Sequence, residues 1–136
     1  MRRTVTLIAL LALAGCGRSQ PQQAQQPVIR VQSEEQKLLK QLDAFNLAIG
    51  LKRAIYDAGY TCKRITDAGY VGTYKDNLEM WMAHCVYDKG PPVDWAVFAG
   101  PDGSAQVRNC KDITPESGLP ACVIKQRPKG SFTDLK

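Results

Sequence analysis

The sequence predicts a small α+β domain, and three observations carry that expectation. Apolar residues recur at helical spacing between Ser33 and Gly59, and apolar and polar residues alternate in short runs after Gly59. The runs are separated by turn-forming residues close enough to make successive strands antiparallel neighbours. The expected architecture is an N-terminal helix, bent or split near Gly50, packed on an antiparallel sheet of about four strands and stapled by two disulfides.

The helix is expected to begin at Ser33-Glu34-Glu35-Gln36, which reads as a capping box. Leu38, Leu42, Phe45, Ile49 and Tyr56, flanked by Leu39, Leu51 and Ile55, form the stripe expected to be buried. Lys52 and Arg53 lie near the C-terminal end, where the helix dipole favours cations, and Gly59 suits a left-handed cap. Gly50, with Asn46 before it, is the weak point, because an interior glycine costs about 1 kcal/mol against alanine.

Residues 60–66 then read as a first strand, 67–77 as a Gly-rich loop and 78–87 as a long second strand. Asp88-Lys89-Gly90-Pro91-Pro92 is a turn, residues 93–99 are a third strand, Pro101-Asp102-Gly103-Ser104 is a tight turn, and residues 105–110 are a fourth strand. A polar excursion at 111–121 and a short edge strand at 123–125 end the domain, expected to span 33–126, and 127–136 is expected to be a flexible tail. In the second strand Leu78, Met80, Met82, His84 and Val86 share one face, and Trp81, Ala83, Cys85 and Tyr87 share the other. Neither face suits water, so the strand belongs in the centre of the sheet. One helix covers one face, which leaves the other to another layer, a wrapped tail or a partner.

At the N-terminus, Arg2 and Arg3 precede an apolar run at 5–14 that closes on Leu13-Ala14-Gly15-Cys16. The run is too short to cross a bilayer, which takes about 20 apolar residues. The motif resembles the lipobox of bacterial lipoproteins. That resemblance implies a signal peptide at 1–15, cleavage before Cys16, and acylation of its sulfur and amine. Each buried methylene of the acyl chains adds about 0.8 kcal/mol to membrane anchoring. Gly17 stands where enterobacterial lipoproteins retained in the inner membrane carry aspartate, so the resemblance implies the outer membrane, facing the periplasm. Residues 16–32 are then the lipidated cysteine and a Gln/Pro-rich tether, whose reach if flexible is on the order of 20 Å.

The formal charge is +5, and loss of Arg2 and Arg3 leaves 16 basic against 13 acidic side chains, or +3. Basic and acidic residues are interspersed, with no stripe that would track a phosphate backbone, so no nucleic-acid partner is expected. Setting Cys16 aside leaves Cys62, Cys85, Cys110 and Cys122, an even number in an exported chain. Of three possible connectivities, Cys62–Cys85 with Cys110–Cys122 is expected, because sequential pairs need only a hairpin and one closed loop. Each would stabilise by roughly 3 kcal/mol. A four-thiolate metal site is the alternative, but no C-x-x-C pair is present, and no metal or cofactor is expected.

The inventory for catalysis is thin. His84 is the one histidine, and its neighbour Cys85 points to the opposite strand face. Glu79 and Asp94 are single acids, and no nucleophile elbow, zinc-helix motif or phosphate loop occurs. An enzyme is therefore not expected. Among the aromatic residues, Trp81 and Trp95 are expected in the core, and Tyr70 and Tyr74 in the Gly-rich loop are the candidate partner-binding residues.

Ala58-Gly59-Tyr60-Thr61-Cys62, with Cys85 on the next strand, resembles small exported PepSY-like proteins of helix-then-meander architecture. That resemblance implies binding in the envelope, or inhibition or regulation of hydrolases. The expected function is a noncatalytic envelope lipoprotein, held to the membrane by acyl chains on Cys16, that binds an envelope protein. The alternative is an inhibitor or regulator of a periplasmic hydrolase, acting through residues 69–77 or 111–121.

Overall fold

The computed structural model describes residues 32–132; the segment expected as a signal peptide, Cys16, the expected tether through residue 31 and residues 133–136 lie outside the described part. The expected single helix is two, α1 (Glu34–Gln41) and α2 (Ala44–Asp57). The capping box forms: Gln36 N donates to Ser33 Oγ at 3.2 Å and Ser33 N donates to Gln36 Oε1 at 3.1 Å. The division falls at Leu42–Asp43 rather than at Gly50. Leu42 is extended, and Asp43 caps α2 by accepting from Asn46 N at 2.8 Å. Lys129 O satisfies a second orphan donor, Ala44 N, also at 2.8 Å. Two bonds made at one end outweigh the modest penalty of an interior glycine. Asp43→Ala is therefore expected to lower stability by about 1 kcal/mol. Gly50→Ala, with nothing near the added methyl, is expected to raise it by roughly 0.5–1 kcal/mol. Urea unfolding of the two variants reads both signs.

The buried row of α2 also differs from expectation. Leu51 and Ile55 are buried as expected, but together with Ala44, Leu47 and Ala48, whereas Phe45, Ile49 and Tyr56, and Leu38 on α1, are exposed. Both rows have helical period, so periodicity alone cannot choose between them. The small Ala44 and Ala48 let the helix approach the sheet closely, which selects their row. The helix ends as Gly59 predicts, at φ +85°, with Tyr60 N donating to Ile55 O and Gly59 N to Tyr56 O.

The sheet is an antiparallel meander of β1 (Arg64–Thr73), β2 (Glu79–Val86), β3 (Val93–Ala99) and β4 (Ala105–Asn109), in that spatial order. β1 takes in most of the segment expected as a Gly-rich loop, leaving a short 3₁₀ turn at Lys75–Asn77. Its register shifts between Ile65 and Asp67 and between Tyr70 and Gly72, so the second irregularity sits beside a glycine, as a bulge would. The disulfides Cys62–Cys85 and Cys110–Cys122 are both present.

One sheet face carries Trp81, Ala83, Cys85, Trp95 and Val97 against the buried row of α2. The other carries Val71, Met80, Ala96 and Phe98, covered by Ile113, Leu119 and the Cys110–Cys122 bridge. The second face is thus closed by the chain's own C-terminal part. The edge strand expected at 123–125 is reduced to a single antiparallel bridge, Tyr70 to Gln126. Residues 127–132, expected as a loose tail, pack on the domain. Arg127 makes two bonds to Asp67, at 3.1 and 2.8 Å, Lys129 caps α2, and Phe132 is buried in the core.

Candidate functional site: the open edge of β4

β4 ends the sheet. Gly100 N donates to Ser104 O at 2.8 Å and Gly103 N to Gly100 O at 3.2 Å, which fixes the hairpin and the alternation that follows it. By the antiparallel pattern, Ala105 and Val107 then direct their N–H and C=O groups away from β3. Among the described residues no strand pairs with that edge. The opposite edge is treated differently, because Tyr70 N donates to Gln126 O at 2.8 Å and Lys125 N donates to Tyr70 O at 2.9 Å. The hairpin that presents β4 is braced locally. Asp102 Oδ1 accepts from Ser104 Oγ at 2.6 Å and from Ser104 N at 3.0 Å, and these bonds hold its carboxyl below the usual carboxylate range.

A cleft lies on each side of this edge. On the α2 side, about 200 Å³ is enclosed by residues that include Leu39, Gly50, Ala54, Val97, Ala99 and Ala105. On the other side, about 340 Å³ lies between the sheet and the disulfide-closed lobe, lined by residues that include Tyr74, Leu78, Phe98, Gln106, Arg108 and Leu119. The first cleft is mostly apolar, and the second carries a guanidinium. An extended segment bonded to β4 would drop alternate side chains to the two faces, one set toward each cleft.

The two tyrosines marked by the sequence part company. Tyr74 lines the second cleft. Tyr70 lies within β1 rather than in a loop and is half-buried: its ring meets Trp81 edge-on with centroids 5.4 Å apart, the Lys40 ammonium lies 4.4 Å from its centroid, and its hydroxyl is 2.7 Å from Thr73 Oγ1. Tyr70 thus packs between Trp81 and Lys40. Trp81 and Trp95 are buried.

The two acids on the strands singled out by the sequence, Glu79 and Asp94, both have partners. Glu79 is fully buried with Oε1 2.8 Å from Lys40 Nζ and 2.6 Å from Gln32 Nε2, and His84 Nδ1 meets Asp94 across neighbouring strands. Arg127 has its affinity for its proton raised by Asp67 beside it. Among the described residues no group of three or more His, Cys, Asp or Glu is placed to hold a metal, and no helix is long and apolar enough to cross a membrane.

The sequence did not single out Ala105, Val107 or Arg108. A signal was available, since the last strand of a meander is an edge unless a later segment covers it. Compared with known proteins, the chain matches no family model, no curated relative and no solved structure.

Proposed function

We propose that the protein is a noncatalytic envelope lipoprotein, anchored through acyl chains on Cys16, whose domain binds an extended segment of another envelope protein along β4. The observation that carries the reading is the β4 edge, unpaired among the described residues, with a cleft on either face. Main-chain bonds to Ala105 and Val107 would give affinity for any extended segment, and the clefts would select side chains. The apolar cleft admits small or branched aliphatic groups. Arg108 and Gln106 in the other favour an acidic or amide group. The lipobox and the Gln/Pro-rich tether support the placement, since they would hold the edge within reach of the outer membrane's periplasmic face.

Val107→Pro tests the reading. It removes an outward N–H and leaves the ladder to β3 intact, so it is expected to cost the fold only about 1–2 kcal/mol. Capture of an envelope partner by the detergent-solubilised protein should fall at least roughly tenfold with loss of the strand bonds. Arg108→Glu should weaken capture less. Undiminished capture by the proline variant would reject strand addition.

A second reading, hydrolase inhibition, is favoured by the lobe at 111–121, which is closed by Cys110–Cys122 and exposes Glu116, Ser117 and Gly118. Residues 69–73 no longer serve it, because they are built into β1. Under this reading Glu116→Ala relieves inhibition of a peptidase or muramidase, and Val107→Pro does not.

A further inference from the structure

We infer that the exposed flank of α2 docks on the bilayer that anchors the chain. This rests on the reading of Cys16 as the point of attachment. Phe45, Ile49, Lys52 and Tyr56 follow one another at helical steps of four, three and four, a row about 16 Å long. Phe45, Ile49 and Tyr56 are 55%, 53% and 48% exposed. Single exposed apolar residues are ordinary, but a contiguous row of them on one helix flank marks a surface that something covers.

Three features commit that surface to lipid. First, its chemistry is that of an interfacial helix. Phe and Ile form the apolar part, Tyr56 carries a ring suited to the headgroup boundary, and basic residues border them. Lys52 is held along the row, its Nζ bonded to Lys63 O at 2.8 Å and 6.0 Å from the Tyr56 ring centroid. Second, Lys52, Arg53, Lys63 and Arg64 gather where α2 ends and β1 begins, against Asp57 and Asp88, which pair with Arg53 and Lys63. That excess of positive charge complements anionic headgroups.

Third, only residues 17–31 separate Cys16 from the described part, and at full extension they span at most about 50 Å. A domain so confined meets the bilayer at high effective concentration, so a weak apolar row suffices for docking. Gly50 and Ala54, which line the apolar cleft, lie on the other flank of α2. Docking through Phe45 and Ile49 therefore leaves the β4 edge free to take its partner.

The test uses the chain from Cys16 onward, which keeps every described residue. Its thiol is coupled to a maleimide-headgroup lipid in vesicles of phosphatidylethanolamine and phosphatidylglycerol. The other four cysteines are held in disulfides. Hydroxyl-radical oxidation of Phe45, Ile49 and Tyr56 is then compared between coupled and vesicle-free protein. Val123, exposed and next to the lobe on the opposite sheet face, is the internal reference.

The expected result is a roughly fivefold or greater fall in oxidation of the α2 row with Val123 unchanged, and loss of that protection, read at Tyr56, in the variant with Phe45→Ser and Ile49→Ser. Unchanged oxidation of the row overturns the inference. So does protection that appears without vesicles as protein concentration rises, which assigns the row to self-association, or only on adding envelope proteins, which assigns it to a protein partner. Chemical coupling supplies the anchor independently of the cell, so mass spectrometry of Cys16 from cells separates a failure of the lipidation reading from a failure of docking.

Discussion

Gly69→Val is expected to lower the stability of the domain by about 3–4 kcal/mol, because it drives the C-terminal segment off β1. A Cβ at Gly69 would lie 2.5 Å from Gln126 O and 2.5 Å from Ile124 Cγ2. The first of these is backbone and cannot rotate away, so relief requires the segment itself to lift. What lifts with it is substantial: the Tyr70–Gln126 bridge, the two Arg127–Asp67 bonds, the Lys129 carbonyl that caps Ala44, and Phe132 in the core. Gly72→Ala is the control, since its added methyl would meet only Lys125 Nζ, at 3.9 Å. Urea unfolding measures the difference. Trypsin reports the mechanism, because cleavage after Lys125 and Lys129 should accelerate in the Gly69 variant well below its unfolding transition.

Gly69 also shows what the sequence could and could not convey. Features set by neighbours in the chain were legible. The Ser33–Gln36 capping box, the Gly59 cap, the strands at 79–86 and 93–99 and the turn at 101–104 all rest on groups a few residues apart. The sequential disulfides were legible for the same reason, since each closes a loop of modest length.

β1 was not, because Gly69 reads locally as a loop residue, whereas its lack of a side chain serves a backbone that arrives from the far end of the domain. Asp67 and Arg127 are 60 residues apart and gave no local sign of their pairing. The two apolar rows of α2 were equally visible, and the choice between them was made by the sheet. The candidate site shares this division. Tyr74 stood out by its setting and β4 by being the last strand of a meander, but no local pattern encodes that the C-terminal segment bridges to β1 at Tyr70–Gln126.

Lys40→Met is the second large expectation, a loss of about 3 kcal/mol, because it strands a buried carboxylate. Glu79 has no exposed surface, Lys40 Nζ is 2.8 Å from its Oε1, and Oε2 has no hydrogen-bond partner among the described residues. Without Lys40 the remaining polar partner of Glu79 among the described residues is the neutral amide of Gln32, at 2.6 Å, which cannot balance a charge. Glu79→Gln removes the charge along with the pair and should cost less, about 1–2 kcal/mol. The double variant should therefore be more stable than the sum of the single losses implies, by about 1–2 kcal/mol, and a cycle of urea unfolding measurements reads that coupling directly.

The same pair bears on the site. It ties α1 to the start of β2, next to Gln36, whose Nε2 donates to Asn77 O at 2.6 Å and to Ala99 O at 3.0 Å. Gln36 and Ala99 both line the apolar cleft beside β4. Loosening α1 through Lys40 should therefore weaken partner capture at temperatures where the domain remains folded, by less than Val107→Pro does. A Lys40 variant that is destabilised but captures normally would show that the cleft wall is held by the Gln36 bonds alone.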